Sequence, residues 1–195
     1  MASPDAGKWN AIYQSGQHDS KQPARVLREY AHLLPDEGKA LDLACGTGAN
    51  ALFLAEKGMQ VSAWDISSEA LAILENRCIQ TGVHIDTQVR DVLQSPPLKN
   101  TFDVIVVSYF LDRDLMPDIM HALLPGGLLY YQTFTQTRVS DSGPKNPDYR
   151  LADNELLELC SELQLLIYHE EGCTGDNSQG TRNEAWLVGR KKPAS

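Results

Sequence analysis

The chain has 195 residues, with 26 acidic side chains against 17 basic ones and a formal charge of −9. That length fits one α/β domain with a core of its own. The acidic balance, with no basic run longer than Arg190-Lys191-Lys192, argues against an extended nucleic-acid surface. The four cysteines, Cys45, Cys78, Cys160 and Cys173, form no Cys-x-x-Cys pair and read as reduced thiols of a cytoplasmic protein. No metal site is expected. No apolar stretch approaches the ~20 residues that span a bilayer, so no membrane role is expected either.

Residues 1–22 are polar, but Trp9 and Tyr13 stand one helical turn apart and would share a face of a short helix. Such a pair either packs on the domain or covers a ligand, and residues 1–34 are read as a helical lid segment. A second helix, over 23–34, carries Val26, Leu27, Tyr30, Ala31 and Leu34 and stops before Pro35. The apolar run 40–44 breaks into Gly46-Thr47-Gly48 and resumes as a helix from Ala49, with Ala51, Leu52, Leu54 and Ala55 inward and Gly58 as its stop. A second strand, 60–65, ends on Asp65. Ser67 or Ser68 caps the next helix, which buries Ala70, Leu71, Leu74 and Cys78 and ends at Gly82.

A third strand over 83–89 is mixed in polarity, as for a strand near an edge, and delivers Arg90-Asp91-Val92. The run Phe102-Asp103-Val104-Ile105-Val106-Val107 reads as a central parallel strand covered on both faces. Ser108-Tyr109-Phe110-Leu111 follows it, then a helix over 114–124, the turn Pro125-Gly126-Gly127 and a strand over 128–134. Residues 135–152 form a long polar loop, the candidate substrate loop. Asp153 is placed to cap a helix bearing Leu156, Leu159, Cys160 and Leu163. The chain closes on strands 165–169 and 185–189, joined without a helix and hence antiparallel. The sum is a single α/β domain, a three-layer Rossmann-like sandwich whose seven-stranded sheet is mostly parallel with an antiparallel last strand.

The glycine turn and Asp65 define a nucleoside skeleton. Glycine tolerates positive φ and lets backbone approach a ligand, and the helix that follows opens with free N–H groups. Asp65 lies about twenty residues beyond the turn, where a doubly wound fold holds a ribose hydroxyl pair. Asp42 narrows the ligand. A carboxylate inside the first strand would repel a pyrophosphate and favour an ammonium or sulfonium.

The run Leu41-Asp42-Leu43-Ala44-Cys45-Gly46-Thr47-Gly48 resembles motif I of the class I S-adenosylmethionine-dependent methyltransferases. Asp65 matches the acid of their motif II, and Leu123-Leu124-Pro125-Gly126-Gly127-Leu128-Leu129 resembles their turn into strand five. The resemblance covers about residues 36–134 and is nearest to the small-molecule enzymes of the tellurite-resistance and thiol-methyltransferase branch. It implies S-adenosylmethionine as cofactor and S-adenosylhomocysteine as product. The backbone of Ala44, Cys45, Gly46 and Gly48 would meet the methionine part. Asp65 would take the ribose, Ile66 would cover the adenine, and Asp91 and the Val92 N–H would hold the adenine edge. Asp42 and Ser108 complete the edge.

A sulfonium methyl is already electrophilic, so alignment and exclusion of water suffice unless the acceptor must lose a proton. The candidates for contact with the acceptor are Tyr13, His18, Tyr109, Arg113 and Tyr149, with Tyr13, Tyr109 and Arg113 foremost. The acceptor is expected to be a small molecule and the protein a monomer or homodimer. Two rivals stand beside this reading. One is an NAD-dependent oxidoreductase, for which no hydride-transfer dyad is evident. The other is a non-catalytic cofactor-binding module.

Overall fold

In the computed structural model, residues 4–16 and 21–193 are described; His18 lies outside them. Five parallel strands form in chain order: β1 (Lys39–Leu43), β2 (Gln60–Asp65), β3 (Asp86–Val89), β4 (Phe102–Ser108) and β5 (Leu123–Phe134). The closing hairpin adds β6 (Gln164–Glu170) and β7 (Glu184–Arg190), and the sheet order is β3-β2-β1-β4-β5-β7-β6. β7 runs antiparallel between β5 and β6. Strand order reverses between β1 and β4, which pair directly, so the crevice of a doubly wound sheet opens at their carboxyl ends.

Alternation along the strands builds two cores. Val104 and Val106 of β4 face one side of the sheet, Ile105 and Val107 the other. On the first side lie α2 (Arg25–Glu29), α3 (Ala49–Glu56) and α4 (Ser68–Thr81), through Val26, Leu27, Ala51, Leu54, Leu71 and Leu74. On the second lie α5 (Met116–Ala122) and α6 (Glu155–Leu159), through Met116, Ile119, Met120 and Leu156. The central position of β4 and the edge position of β3 are as the sequence implied. The first helix, α1 (Pro4–Gln14), stands apart from both cores and docks on α4.

Several boundaries differ from expectation: α5 is Met116–Ala122, shorter than 114–124, and α6 ends at Leu159, short of Cys160 and Leu163. The helix over 23–34 is α2 plus a 3-10 turn at Ala31–Leu33, because Tyr30 leaves the helical region at φ −112°. β3 begins three residues later than expected, at Asp86. β5 begins at Leu123, so Pro125-Gly126-Gly127 is an irregularity inside the strand and not a turn before it, and the pairing with β4 slips between Phe102 and Val104. A Cβ on Gly127 would lie 2.9–3.1 Å from the carbonyl oxygens of Leu124, Asp103 and Phe102, which leaves room only for glycine. The cap of α6 is Asn154, at φ 63°, and not Asp153, whose carboxylate accepts from the Thr137 hydroxyl.

The 135–152 segment has structure of its own. Thr135 bridges Leu151, and Pro147–Tyr149 is a 3-10 turn. The Arg150 side chain, only 2% exposed, donates to three carbonyls: Pro144 at 2.7 Å, Thr135 at 2.9 Å, and Ser142. A guanidinium presents five donors in a rigid fork, which suits it to tie a loop's own carbonyls together.

Candidate active site

The glycine turn joins β1 to α3. Ala44, Gly46 and Gly48 all adopt positive φ, at 55°, 53° and 78°. For Ala44 that is strained backbone, of the kind concentrated at ligand sites. A Cβ on Gly48 would run into the Leu74 side chain at 2.3 Å, so the third position of the turn is set by packing on α4.

Both predicted acids lie against this turn. Asp65 is 6% exposed and accepts from the Gly46 N–H at 2.7 Å and the Ser67 N–H at 2.8 Å. Burial raises its pKa, and those backbone donors lower it in part. Asp42 is fully buried and accepts from Ala51 N–H at 3.0 Å and from the Asn50 amide at 3.3 Å. Burial pushes its pKa up to about 7, and the Asp65 charge adds to the rise. Among the described residues neither carboxylate has a cationic partner.

Asn50 was not singled out from the sequence. Its amide donates to Ser108 Oγ at 2.9 Å as well as to Asp42, and its Oδ1 accepts from Ala24 N–H at 2.8 Å. It therefore ties β1, α3, β4 and the start of α2 together below the crevice. Nothing in a single sequence marks such an asparagine, because its partners lie 8, 26 and 58 residues away.

α1 lies across the glycine turn. Asn10 Oδ1 accepts from the Ser67 hydroxyl at 2.7 Å, at the N-terminus of α4. Trp9 and Tyr13 are 6.1 Å apart, on one face. The Tyr13 hydroxyl stands so near Gly46 that a Cβ there would approach it to 2.7 Å. Burial first, then the charges of Asp65, Cys45 and Asp42, raises the Tyr13 pKa, so its hydroxyl stays a hydrogen-bond donor beside two acids. Lys8 lies 5.5 Å from the Trp9 ring and 5.9 Å from that of Tyr149, so α1 reaches across to the 135–152 segment.

The remaining candidates are spread along the same edge. Asp91 follows β3 beside Asp65, whose carbonyl accepts from Arg90 N–H at 2.8 Å. Its carboxylate accepts from Leu93 N–H at 3.1 Å and from Gln94 at 3.0 Å. Val92 is buried in the core, and Ile66 is half-buried at the end of β2. Cys45 is buried, its N–H donating to Trp64 O at 3.0 Å. Tyr109 follows β4 at φ 57° and is half exposed, as is Tyr149. Arg113 is held by Glu155 through two bonds of 2.6 and 2.9 Å and donates to the carbonyls of Asp148 and Arg150. The guanidinium is thus engaged in holding the 135–152 segment.

This donor set fits S-adenosylmethionine. Two buried carboxyl groups against a glycine turn suit a ligand that brings donors and positive charge, which ribose hydroxyls and an ammonium supply and a pyrophosphate does not. The raised pKa of Asp42 has a consequence for stability. The folded state holds that proton more tightly than the unfolded chain, so the contribution is fully present at low pH and is lost as pH climbs from about 4 to about 7. Asp42→Asn is expected to flatten the fall in melting temperature between about pH 5 and about pH 8. Parallel melting curves for the two proteins across that range would refute the assignment.

A family model described as a methyltransferase domain matches residues 40–127. The chain is 29% identical over 140 residues to the Haemophilus influenzae protein named "Probable S-adenosyl-L-methionine-dependent methyltransferase TehB", covering 68% of this chain and 48% of that one. It is 26% identical over 172 residues to a ubiquinone biosynthesis O-methyltransferase of Pasteurella multocida, covering 70% and 71%. The crystal structure of TehB from Haemophilus influenzae superposes with a TM-score of 0.71 at 23% identity, over 94% of this chain and 67% of that one, which shows the shared fold. The chain spans about half the length of the first curated relatives it matches. With the reversed strand order, the glycine turn and the two acids in place, the chain is similar in fold and in motifs to the class I S-adenosylmethionine-dependent methyltransferases.

Proposed function

We propose that this protein transfers a methyl group to a small-molecule acceptor that enters between α1 and the 135–152 segment. The observation that carries the reading is the pair Asp42 and Asp65, buried against one glycine turn with no cationic partner among the described residues. When bound, the cofactor supplies an electrophilic methyl on a sulfonium. The chain's own part is to bind, orient and exclude water. Asp65 takes the ribose hydroxyls. Asp91 and Val92 hold the adenine edge, with Ile66 over its face. The backbone from Ala44 to Gly48 meets the methionine part, with Asp42 and Ser108 behind it.

Tyr13 and Trp9 cover the turn, and Tyr109 lines the acceptor side. The formal charge of −9 supports a small acceptor over a nucleic acid. The four free cysteines support a reducing compartment such as the cytoplasm. Calorimetric titration with S-adenosylmethionine, S-adenosylhomocysteine and NAD tests the reading. Micromolar binding of the first two and none of the third is expected. Binding of NAD alone would make the protein an oxidoreductase, and S-adenosylhomocysteine binding without methylation of any acceptor would leave a binding module.

A further inference from the structure

Three polar side chains on the acceptor side are joined in a way that cofactor binding does not require. The Tyr109 hydroxyl donates to Glu184 Oε2 at 3.4 Å. The Gln132 amide donates to that same Oε2 at 2.6 Å and to the Tyr109 hydroxyl at 3.1 Å. Gln132 is 1% exposed, and its own oxygen is fixed by the Val26 N–H at 2.9 Å. A buried amide thus aims a tyrosine and a carboxylate at each other. The Tyr109 ring packs on Phe134 at 5.0 Å, and the residue stands 48% exposed just past the carboxyl end of β4. A phenol that donates once and accepts once keeps one lone pair. Its neighbour Ser108 is bonded to Asn50 and, through it, to Asp42.

Resting on the reading above, we propose that Tyr109 and Glu184 form the proton relay of the methyl acceptor, which is therefore a molecule that carries a proton on its reacting atom. As the acceptor lone pair forms its bond to the methyl carbon, the carbon–sulfur bond breaks and its electron pair stays on sulfur. The acceptor's proton passes to Tyr109 Oη. The proton of Tyr109 passes to Glu184 Oε2, and the carboxylate becomes a neutral acid that later returns the proton to water. Tyr109 is the catalytic residue, since it touches the acceptor; Glu184 acts through it. Gln132 positions both.

Glu184 is placed for this by its surroundings. It opens β7 opposite Phe134, so the antiparallel strand brings its first residue to the carboxyl edge of the parallel ones. Burial raises its pKa, while the bonds from Gln132 and Tyr109 and the charge of Arg25 lower it. A carboxylate so balanced is a better proton acceptor than one in water. The charged and titratable groups around the pair are Arg25 and Arg28 of α2, His169 and Glu170 of β6, and Glu171 and Arg182 of the segment between β6 and β7. Arg28 lowers the Tyr109 pKa, against the larger raising effects of burial and Glu184. Arg25 is shared with Glu29 at 2.5 Å, and Glu171 holds Arg182 at 3.3 Å, so neither arginine forms an ion pair with Glu184.

The test compares wild type, Glu184→Gln and Tyr109→Phe with saturating S-adenosylmethionine. The probes are a phenol, an aliphatic thiol and a primary amine, each bearing a proton, and iodide, which has none. S-adenosylhomocysteine affinity is measured calorimetrically at every pH, which separates any titration of Asp42 or Asp65. Both variants are expected to keep that affinity within about threefold. They should lose about 100-fold in kcat on the best proton-bearing probe, with little change in KM, and the loss should exceed that on iodide by about thirtyfold. Wild-type kcat is expected to rise with pH through the Glu184 ionisation, and Glu184→Gln to lack that limb. Equal losses on both kinds of probe, an unchanged pH limb, or a wild type that methylates iodide alone or no probe at all overturns the relay. The last outcome with S-adenosylhomocysteine still bound leaves the cofactor site standing, whereas absence of S-adenosylhomocysteine binding removes the methyltransferase reading itself.

Discussion

Asp65→Ala is expected to weaken S-adenosylmethionine binding by 100-fold or more. Two ribose hydroxyls donating to one carboxylate each contribute about 1.5–3 kcal/mol, as hydrogen bonds to a charged group do. Loss of the pair therefore corresponds to roughly 3–6 kcal/mol, and 2.7 kcal/mol is already about 100-fold. The substitution also removes the acceptor of the Gly46 and Ser67 N–H groups, so the turn loosens. That cost is offset in part, because the wild-type carboxylate is itself raised in pKa by burial. The ligand-free melting temperature should thus fall only moderately, while the rise that saturating cofactor gives to wild type disappears. Calorimetry with S-adenosylhomocysteine, alongside thermal melts, separates the two effects. An affinity within threefold of wild type would show that Asp65 serves the turn alone.

Arg150→Met is expected to give the largest loss of stability among single substitutions in the acceptor half. The methionine fills the space but leaves the carbonyls of Thr135, Ser142 and Pro144 without their donor. An unsatisfied buried carbonyl costs about 1–3 kcal/mol, and water reaches part of this loop, so a total near 3 kcal/mol is expected. For a domain of this size that is a fall of about 6–12 °C in melting temperature. Limited proteolysis should then cut within residues 138–146 before the rest of the chain. Arg150→Lys keeps the charge but not the fork, and should recover less than half of the loss. A melting temperature within about 2 °C of wild type for Arg150→Met would show that the loop is held from outside. Cofactor affinity should hold in either case, since Arg150 touches none of the residues around the glycine turn.

What the sequence disclosed follows from where backbone geometry leaves little choice of residue. A turn at positive φ needs glycine, and Gly46 and Gly48 stand there. A strand buried on both faces needs a continuous apolar run, and β4 has one. The acid at the end of β2 shows in its interval of about twenty residues from the glycine turn. Three features escaped because other residue types are tolerated locally. Ala44 and Tyr109 occupy positive φ without being glycine. Asn154, not Asp153, caps α6, since either residue type suits a cap and the contact of Asp153 with Thr137 decides between them. Glu184 and Gln132 meet across 52 residues, and Arg150 finds its partners inside a segment whose composition alone reads as unstructured. Long-range polar contacts leave no periodicity in a chain; they become visible only when the sheet order is known.

The reversal of β7 divides the molecule along its own length. Every residue proposed to meet the cofactor lies between residues 42 and 108, apart from the covering helix α1, while Gln132, Arg150 and Glu184 all come later. The two portions meet where β4 pairs with β5, from Val104 opposite Leu128 to Ser108 opposite Gln132. On the proposed reading, changes in the final third of the chain recast which acceptor is taken and leave the cofactor site as it is. A chimera that exchanges residues 135–190 with those of a relative should inherit the donor's preference for acceptor and keep its own affinity for S-adenosylhomocysteine.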